Sequence, residues 1–95
     1  MILDIEKTIG SSLTNEDGSK LFDYMKNAYN SNTIIVIQIS PIMTMTSSFL
    51  NTSIGQFIDI YGPEEFKKTV KLKSSRVQYE RIVDYIKKYM TILVK

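Results

Sequence analysis

Cysteine and histidine are both missing from the 95 residues of this chain. Without cysteine, disulfides and thiolate chemistry are excluded, and without either residue the usual ligands of zinc and other transition metals are lost. Mechanisms that need an imidazole base are excluded as well. An enzyme would have to rely on carboxylates, lysine, tyrosine, serine or threonine, in a chain with little room for a closed cleft. We therefore expect a protein that is not an enzyme and that uses no metal or cofactor.

Long hydrophobic runs are missing too. The longest, residues 34–39, is interrupted by Gln38, and it is far shorter than the about 20 residues that cross a bilayer. The first residues include Asp4 and Glu6 and lack the basic start and apolar core of a secretory signal. The expected location is therefore cytoplasmic, with no membrane as a partner.

The composition is that of an ordinary globular protein, with 43% hydrophobic and 23% charged residues. No linker, internal repeat or low-complexity segment divides the chain. Two halves of this length would each be too short to bury a sufficient core. We predict a single domain over residues 1–95.

The net charge of +2 is unevenly distributed. Residues 1–63 carry three basic and six acidic side chains, whereas residues 64–95 carry nine basic and four acidic ones. The densest basic group lies between Lys67 and Arg76, where it could meet phosphates or an acidic partner. The simpler interpretation is an edge strand protected by lysines. No aromatic residue is interleaved there, so we do not expect nucleic acid as a partner.

Hydrophobic periodicity predicts alternating strands and helices. A partial alternation from Ile2 predicts an edge strand reaching Ile9. Thr14 or Asn15, followed by acidic residues, predicts the start of a helix that runs to Tyr29. Its apolar face is then made by one set of side chains: Leu21, Phe22, Met25, Ala28 and Tyr29.

The most apolar segment is residues 33–40, which holds four isoleucines and one valine with almost no alternation. This pattern is typical of a strand buried on both faces, and Pro41 ends it. A second helix is predicted from an apolar stripe that stops at Gly62 and Pro63. The stripe comprises Leu50, Ile54, Phe57, Ile58 and Tyr61. Gly55 within it indicates a close approach by a neighbouring backbone.

The rest of the chain predicts a polar turn at residues 64–68, a short strand at residues 69–73 and a last helix capped by Ser74 and Ser75. The predicted order is strand, helix, strand, helix, strand, helix. Such alternation favours an α/β fold with a mainly parallel sheet, right-handed crossovers and helices packed on the sheet.

Hydroxyl groups cluster between the buried strand and the second helix, at Thr44, Thr46, Ser47 and Ser48. In open α/β sheets, ligands usually sit beyond the carboxyl ends of the strands. If Ser48 caps the helix, Ser47 lies beside free amide groups that favour an anion. Ser47 and Ser48 are therefore candidate phosphoacceptors or anion contacts. The alternative is that these hydroxyls only cap the helix and satisfy the turn.

Residues 47–62, SSFLNTSIGQFIDIYG, followed by EEFKKTVKL, resemble the STAS-like domains of unknown function. These domains are relatives of the sulphate-transporter and anti-sigma-factor-antagonist fold. The resemblance extends from about Leu13 to the last helix. Its most specific part is the Ser-Ser-Phe-Leu sequence, with a glycine five residues after Leu50.

The resemblance implies a small, non-catalytic STAS-like domain that binds other proteins. In anti-sigma-factor antagonists, a serine at the start of the helix after the central strand is phosphorylated by a histidine-kinase-like ATPase, and Ser47 matches that serine. This sequence departs from their pattern at two positions. Thr46 stands where the antagonists carry aspartate, and Phe49 stands where they usually carry glycine.

Three hypotheses of function follow. The first is a regulatory interaction module of a partner-switching system, which binds an ATPase or kinase through residues 43–61. Its candidate contacts are Met43, Thr44, Met45, Thr46 and Phe49, and we expect Met45 and Phe49 to be exposed. The second is a sensor of a small ligand, nucleotide or other anion at the helix start near Ser47. The third is a homo-oligomer formed through a sheet face that helices leave uncovered.

Overall fold

A computed structural model describes residues 1–10 and 14–93, without the side chains of Ile92 and Leu93. Its strands are β1 (Ile2–Asp4), β2 (Ile35–Gln38) and β3 (Val70–Lys73). Its α-helices are α1 (Ile5–Thr8), α2 (Asn15–Asn30), α3 (Ser47–Leu50), α4 (Gln56–Tyr61), α5 (Pro63–Thr69) and α6 (Arg76–Leu93). A π-helical segment, Asn51–Gly55, joins α3 to α4, and the backbone angles at both of its ends are helical. Residues 47–61 are therefore one continuous helix, called the central helix below.

The three strands form one parallel sheet in the order β1-β2-β3. The parallel sheet predicted from the sequence is thus confirmed. Both crossovers move in the same direction across the sheet, and right-handed crossovers of that kind place their helices on the same face. Of the residues that point to this face, Leu3, Ile35, Ile37 and Val70 are buried, and Leu72 is partly buried against the core.

The prediction that the central strand is buried on both faces is wrong. Ile35 and Ile37 are buried, but Val36 and Gln38, which alternate with them, are only partly buried. Ile34, just before β2, is 50% exposed. β-branched residues favour the strand conformation whichever face of the sheet they lie on. Their unbroken run therefore reflects strand propensity, and only the side chains on one face of β2 are buried.

The first strand is shorter than predicted. It ends at Asp4, whose carboxylate accepts a hydrogen bond from the Lys7 amide at 3.1 Å and caps α1. This helix turns Ile5 into the core, where it is 1% exposed. The segment predicted to be one strand to Ile9 is therefore the short strand β1 followed by one helical turn, α1. The sequence also predicts that Gly10, Ser11 and Ser12 break this strand, and of these Ser11 and Ser12 lie outside the described residues.

Helix α2 starts where the sequence predicts. Thr14 and Asp17 form a reciprocal capping box, in which the Asp17 amide donates to Thr14 Oγ1 and the Thr14 amide donates to Asp17 Oδ2. Its apolar face packs on the central helix. Gly18 lies at this crossing, where an added Cβ would be 2.7 Å from the carbonyl oxygen of Phe49. Glycine therefore permits the close approach of the two helices.

Helix α6 packs across the π-helical segment. An added Cβ on Gly55 would be 2.6 Å from Tyr85 Oη and 3.2 Å from the Tyr89 ring, so the close neighbours of this glycine are two aromatic rings and not the predicted backbone. Tyr85 Oη donates to Asn51 Oδ1 at 2.5 Å, and Tyr89 Oη donates to Asp59 Oδ2 at 2.6 Å. Burial, together with the Asp59 carboxylate, raises the pKa of both tyrosines to about 12. These contacts join α6 to the central helix.

The predicted polar turn at residues 64–68 is a helix. Pro63 occupies its first turn, where the missing amide hydrogen costs nothing, and Gly62 precedes it with a φ of 94°. Phe66 anchors α5 with 6% exposure. β3 follows at one edge of the sheet, with Lys71 and Lys73 exposed, as expected for a lysine-protected edge strand. None of the helices in the described residues is long and apolar enough to span a membrane.

Candidate functional site at the carboxyl end of the central strand

β2 leads into a tight turn that displays one apolar side chain. The Met43 amide donates to the Ser40 carbonyl at 3.2 Å, and the Ile42 amide lies 3.4 Å from Ser40 Oγ. This turn places Pro41 and Ile42 at its outer side. Ile42 is 85% exposed, more than any other large apolar residue among the described side chains.

The side chain of Gln78, on α6, binds the turn on its interior side. This side chain is fully buried. Its Nε2 donates to the carbonyl oxygens of Ser40 at 3.0 Å and Met43 at 2.7 Å. Both ends of the turn are thus bound to one side chain. The Oε1 atom of Gln78 is buried and has no hydrogen-bond partner in the described part of the chain. Met43 adds an apolar anchor, because its side chain is 5% exposed.

Thr46, and not Ser48 as the sequence interpretation supposed, is the N-cap of the central helix. Its Oγ1 accepts a hydrogen bond from the Phe49 amide at 3.1 Å, and its carbonyl accepts one from the Leu50 amide at 3.1 Å. Ser47 and Ser48 are therefore the first two residues of the helix, and both are exposed. A threonine cap satisfies the same amide that an aspartate cap would, which gives a physical reason why Thr46 can replace aspartate here.

The predicted exposure of Phe49 is wrong, since this side chain is 1% exposed. The width of the buried face explains the error. The predicted stripe of Leu50, Ile54 and Ile58 is buried, and so is an adjacent row of Phe49, Ser53 and Phe57, because the central helix packs against both α2 and α6. Phe49 thereby faces the core beneath α2, together with Leu50 and Ile54.

The remaining predicted contacts differ among themselves. Met43 is buried and cannot touch a partner without rearrangement, Met45 is partly buried against the core, and Thr44 is exposed. The segment therefore has two groups of side chains. We call Ile42, Thr44, Ser47 and Ser48 the tip, and Met43, Phe49 and Gln78 the base.

Ile42 and Gln78 are the residues that the sequence interpretation missed. Ile42 carries a usable signal, because an apolar residue directly after a strand-ending proline must lie in a turn rather than in the strand. Gln78 lies four residues before the buried Ile82 on α6. A polar residue on the apolar stripe of a helix indicates a buried hydrogen bond, although its partners cannot be read from spacing.

Two clefts in the described residues lie away from the tip. One, of about 640 Å³, lies between α5, β3 and α6; it has an apolar floor that includes Phe66 and is bordered by Lys67, Lys71 and Lys87. The other, of about 540 Å³, lies between the end of α2 and α5. Within the described residues, no group of three or more acidic side chains is placed to hold a metal ion.

Comparison with protein families relates these features to other chains. A family described as STAS-like domain of unknown function (DUF4325) matches residues 17–80, from the first turn of α2 to the first turns of α6. The match includes most of the first crossover, the whole of the second, the tip and the base. Comparisons with curated proteins and with solved structures found no match. The chain belongs to the family of STAS-like domains of unknown function.

Proposed function

We propose that this STAS-like domain is a non-catalytic regulatory module that binds a protein partner through the tip, and that the partner is a histidine-kinase-like ATPase of a partner-switching system. The observation that carries the proposal is the display of Ile42 on a turn fixed by Gln78. Apolar side chains at the centre of an interface supply much of its binding energy. A surface that is already ordered loses less conformational entropy on binding.

Ser47 provides the regulatory element of the proposal. It is exposed at the first position of the central helix, where a kinase could reach its hydroxyl. A phosphate there would add a charge of about −1.5 to −2 to the tip. Because anions are favoured at a helix N-terminus, the helix would tolerate this charge. Phosphorylation would therefore change the binding surface without unfolding the domain.

The chemistry around Ser47 supports a binding role rather than catalysis. Its neighbours at the tip are hydroxyl and aliphatic groups, and the chain holds neither histidine nor cysteine. A serine nucleophile needs an adjacent base to activate it. The kinase activity in this proposal therefore belongs to the partner.

The experiment is co-purification with a histidine-kinase-like ATPase from the same organism, using Ile42→Asp at the tip and Ile60→Asp as the matched control. Ile60 is 57% exposed on α4, so both changes place a charge on an exposed isoleucine. We expect Ile42→Asp and Ser47→Asp to lose the ATPase, and Ile60→Asp and Ser47→Ala to retain it. Retention by Ile42→Asp and Ser47→Asp alike would overturn the proposal, as would an ATPase that leaves Ser47 unphosphorylated in an intact-mass assay with ATP.

A sensor of a nucleotide or other anion at Ser47 and Ser48 is the second candidate. It is favoured by the exposure of both residues at the start of a helix of 15 residues, 47–61. Thermal unfolding with phosphate and with nucleotides tests it, because a ligand that binds the folded state raises the melting temperature. An increase that Ser47→Asp abolishes would support this candidate, and no increase with any of them would exclude it.

A further inference from the structure

The parallel sheet has a second face that the described helices leave uncovered. This outer face carries Ile2 on β1, Val36 and Gln38 on β2, and Lys73 on β3; Ile2 is 67% exposed, Lys73 is exposed, and Val36 and Gln38 are partly buried. Lys71 starts from the same face, but its ammonium group reaches α5 and donates to the Lys67 carbonyl at 2.6 Å. Ile34, just before β2, is 50% exposed. Asp4, in register with Gln38, lies on it as well. Purely parallel sheets occur almost only with both faces covered. The outer face is therefore a surface that lacks the cover such sheets normally have.

The register of the strands arranges the outer face in two rows. One row is Ile2, Val36 and Lys71, and the other is Asp4, Gln38 and Lys73. Val36 lies on the middle strand, and Ile34 directly precedes that strand. The two edges carry opposite charge, because Asp4 lies on β1 and Lys73 lies on β3.

We propose that the outer face binds the same face of a second copy of this chain, related by a twofold axis parallel to the strands. Such an axis places β1 of one copy over β3 of the other and β2 over β2. Asp4 then faces Lys73 of the other copy in the same row, and this contact occurs twice because the interface is isologous. Along the axis, Ile34 and Val36 meet their own symmetry mates.

Charge disfavours a twofold axis perpendicular to the strands. Such an axis would place β3 over β3 and bring Lys73 of one copy against the basic edge strand of the other. Facing sheets are about 10 Å apart, a distance that side chains from both sides fill. Like charges brought together there repel each other, whereas the strand-parallel axis pairs each acid with a lysine.

The outer face is independent of the tip in its residues. Ile42, Thr44, Ser47 and Ser48 belong to the turn and helix beyond the carboxyl end of β2, and none of them lies in the two rows. A dimer formed through the outer face therefore does not require the proposed ATPase partner, and the two proposals can fail separately.

Sedimentation equilibrium of the full chain tests the proposal. We expect a concentration-dependent dimer for the wild type and a monomer for Ile34→Lys, while the control Ile60→Lys still dimerises. Wild-type protein that stays monomeric up to about 1 mM would overturn the proposal. So would a dimer that Ile34→Lys leaves unchanged.

A charge swap then tests the axis. Asp4→Lys and Lys73→Asp should each weaken the dimer about tenfold, because each places two pairs of like charges in contact. The double variant should regain the wild-type dissociation constant. Asp4→Asn, which keeps a capping side chain for α1, separates loss of charge from loss of the cap and should weaken the dimer by less than Asp4→Lys. If the double variant dimerises no more tightly than the weaker of the two single variants, the proposed arrangement is wrong.

Discussion

The tip and the base occupy the same short stretch of chain but differ in what holds them. The base side chains are almost completely buried, and Gln78 fixes the turn through two carbonyl groups. The tip side chains project outward from the backbone that the base holds. The exposed residues of the tip should therefore contribute little to the stability of the fold, and their side chains are accessible to a partner. Changes to the base should therefore lower stability, and changes to the tip should alter binding alone.

The largest effect is expected for Phe49→Ala. Phe49 is 1% exposed beneath α2, and removal of a buried phenylalanine ring costs about 3–5 kcal/mol through lost burial and the cavity left behind. Urea unfolding followed by circular dichroism measures this change. Phe49→Leu is the control and should lose markedly less. A loss below about 1 kcal/mol for Phe49→Ala would contradict the burial of the Phe49 ring.

A smaller effect is expected for Gln78→Met. Methionine is close in volume to glutamine but donates no hydrogen bond, so the carbonyls of Ser40 and Met43 lose their partner. We expect a loss of about 1–3 kcal/mol in the free energy of unfolding. The same unfolding assay measures it. Stability equal to the wild type would show that the turn does not depend on Gln78.

The smallest effect on stability is expected for changes to Thr46, the N-cap of the central helix. Thr46→Ala removes the oxygen that accepts the Phe49 amide and should cost about 1 kcal/mol. Thr46→Asp should restore that stability, because aspartate caps at least as well and its charge suits the helix N-terminus. A Thr46→Asp variant less stable than Thr46→Ala would contradict the assigned cap.

Local patterns allowed much of the fold to be predicted. The capping residues and apolar face of α2 lie close together in sequence, so its start could be located within the Thr14–Asn15 pair. The parallel sheet followed from the alternation of strands and helices. The Gly62 and Pro63 stop signal also marks the true end of the central helix.

The errors share a physical origin in longer-range structure. The burial of Phe49 depends on the packing of both α2 and α6 against the central helix, which makes its buried face wider than the predicted stripe. The exposure of Val36 depends on the direction of both crossovers across the sheet. Gln78 contacts a turn 35 residues away from it. None of these three facts is encoded by the spacing of neighbouring residues.

The central claim is that the tip is displayed on a fixed base, and hydrogen exchange of the Met43 amide tests it most directly. This amide donates to the Ser40 carbonyl in the turn beneath Ile42. Measured by NMR, it should exchange far more slowly in the wild type than in an unstructured peptide. In Gln78→Met it should lose this protection, while the amides of β2 keep theirs. A Met43 amide that exchanges in the wild type as fast as in an unstructured peptide would contradict the account.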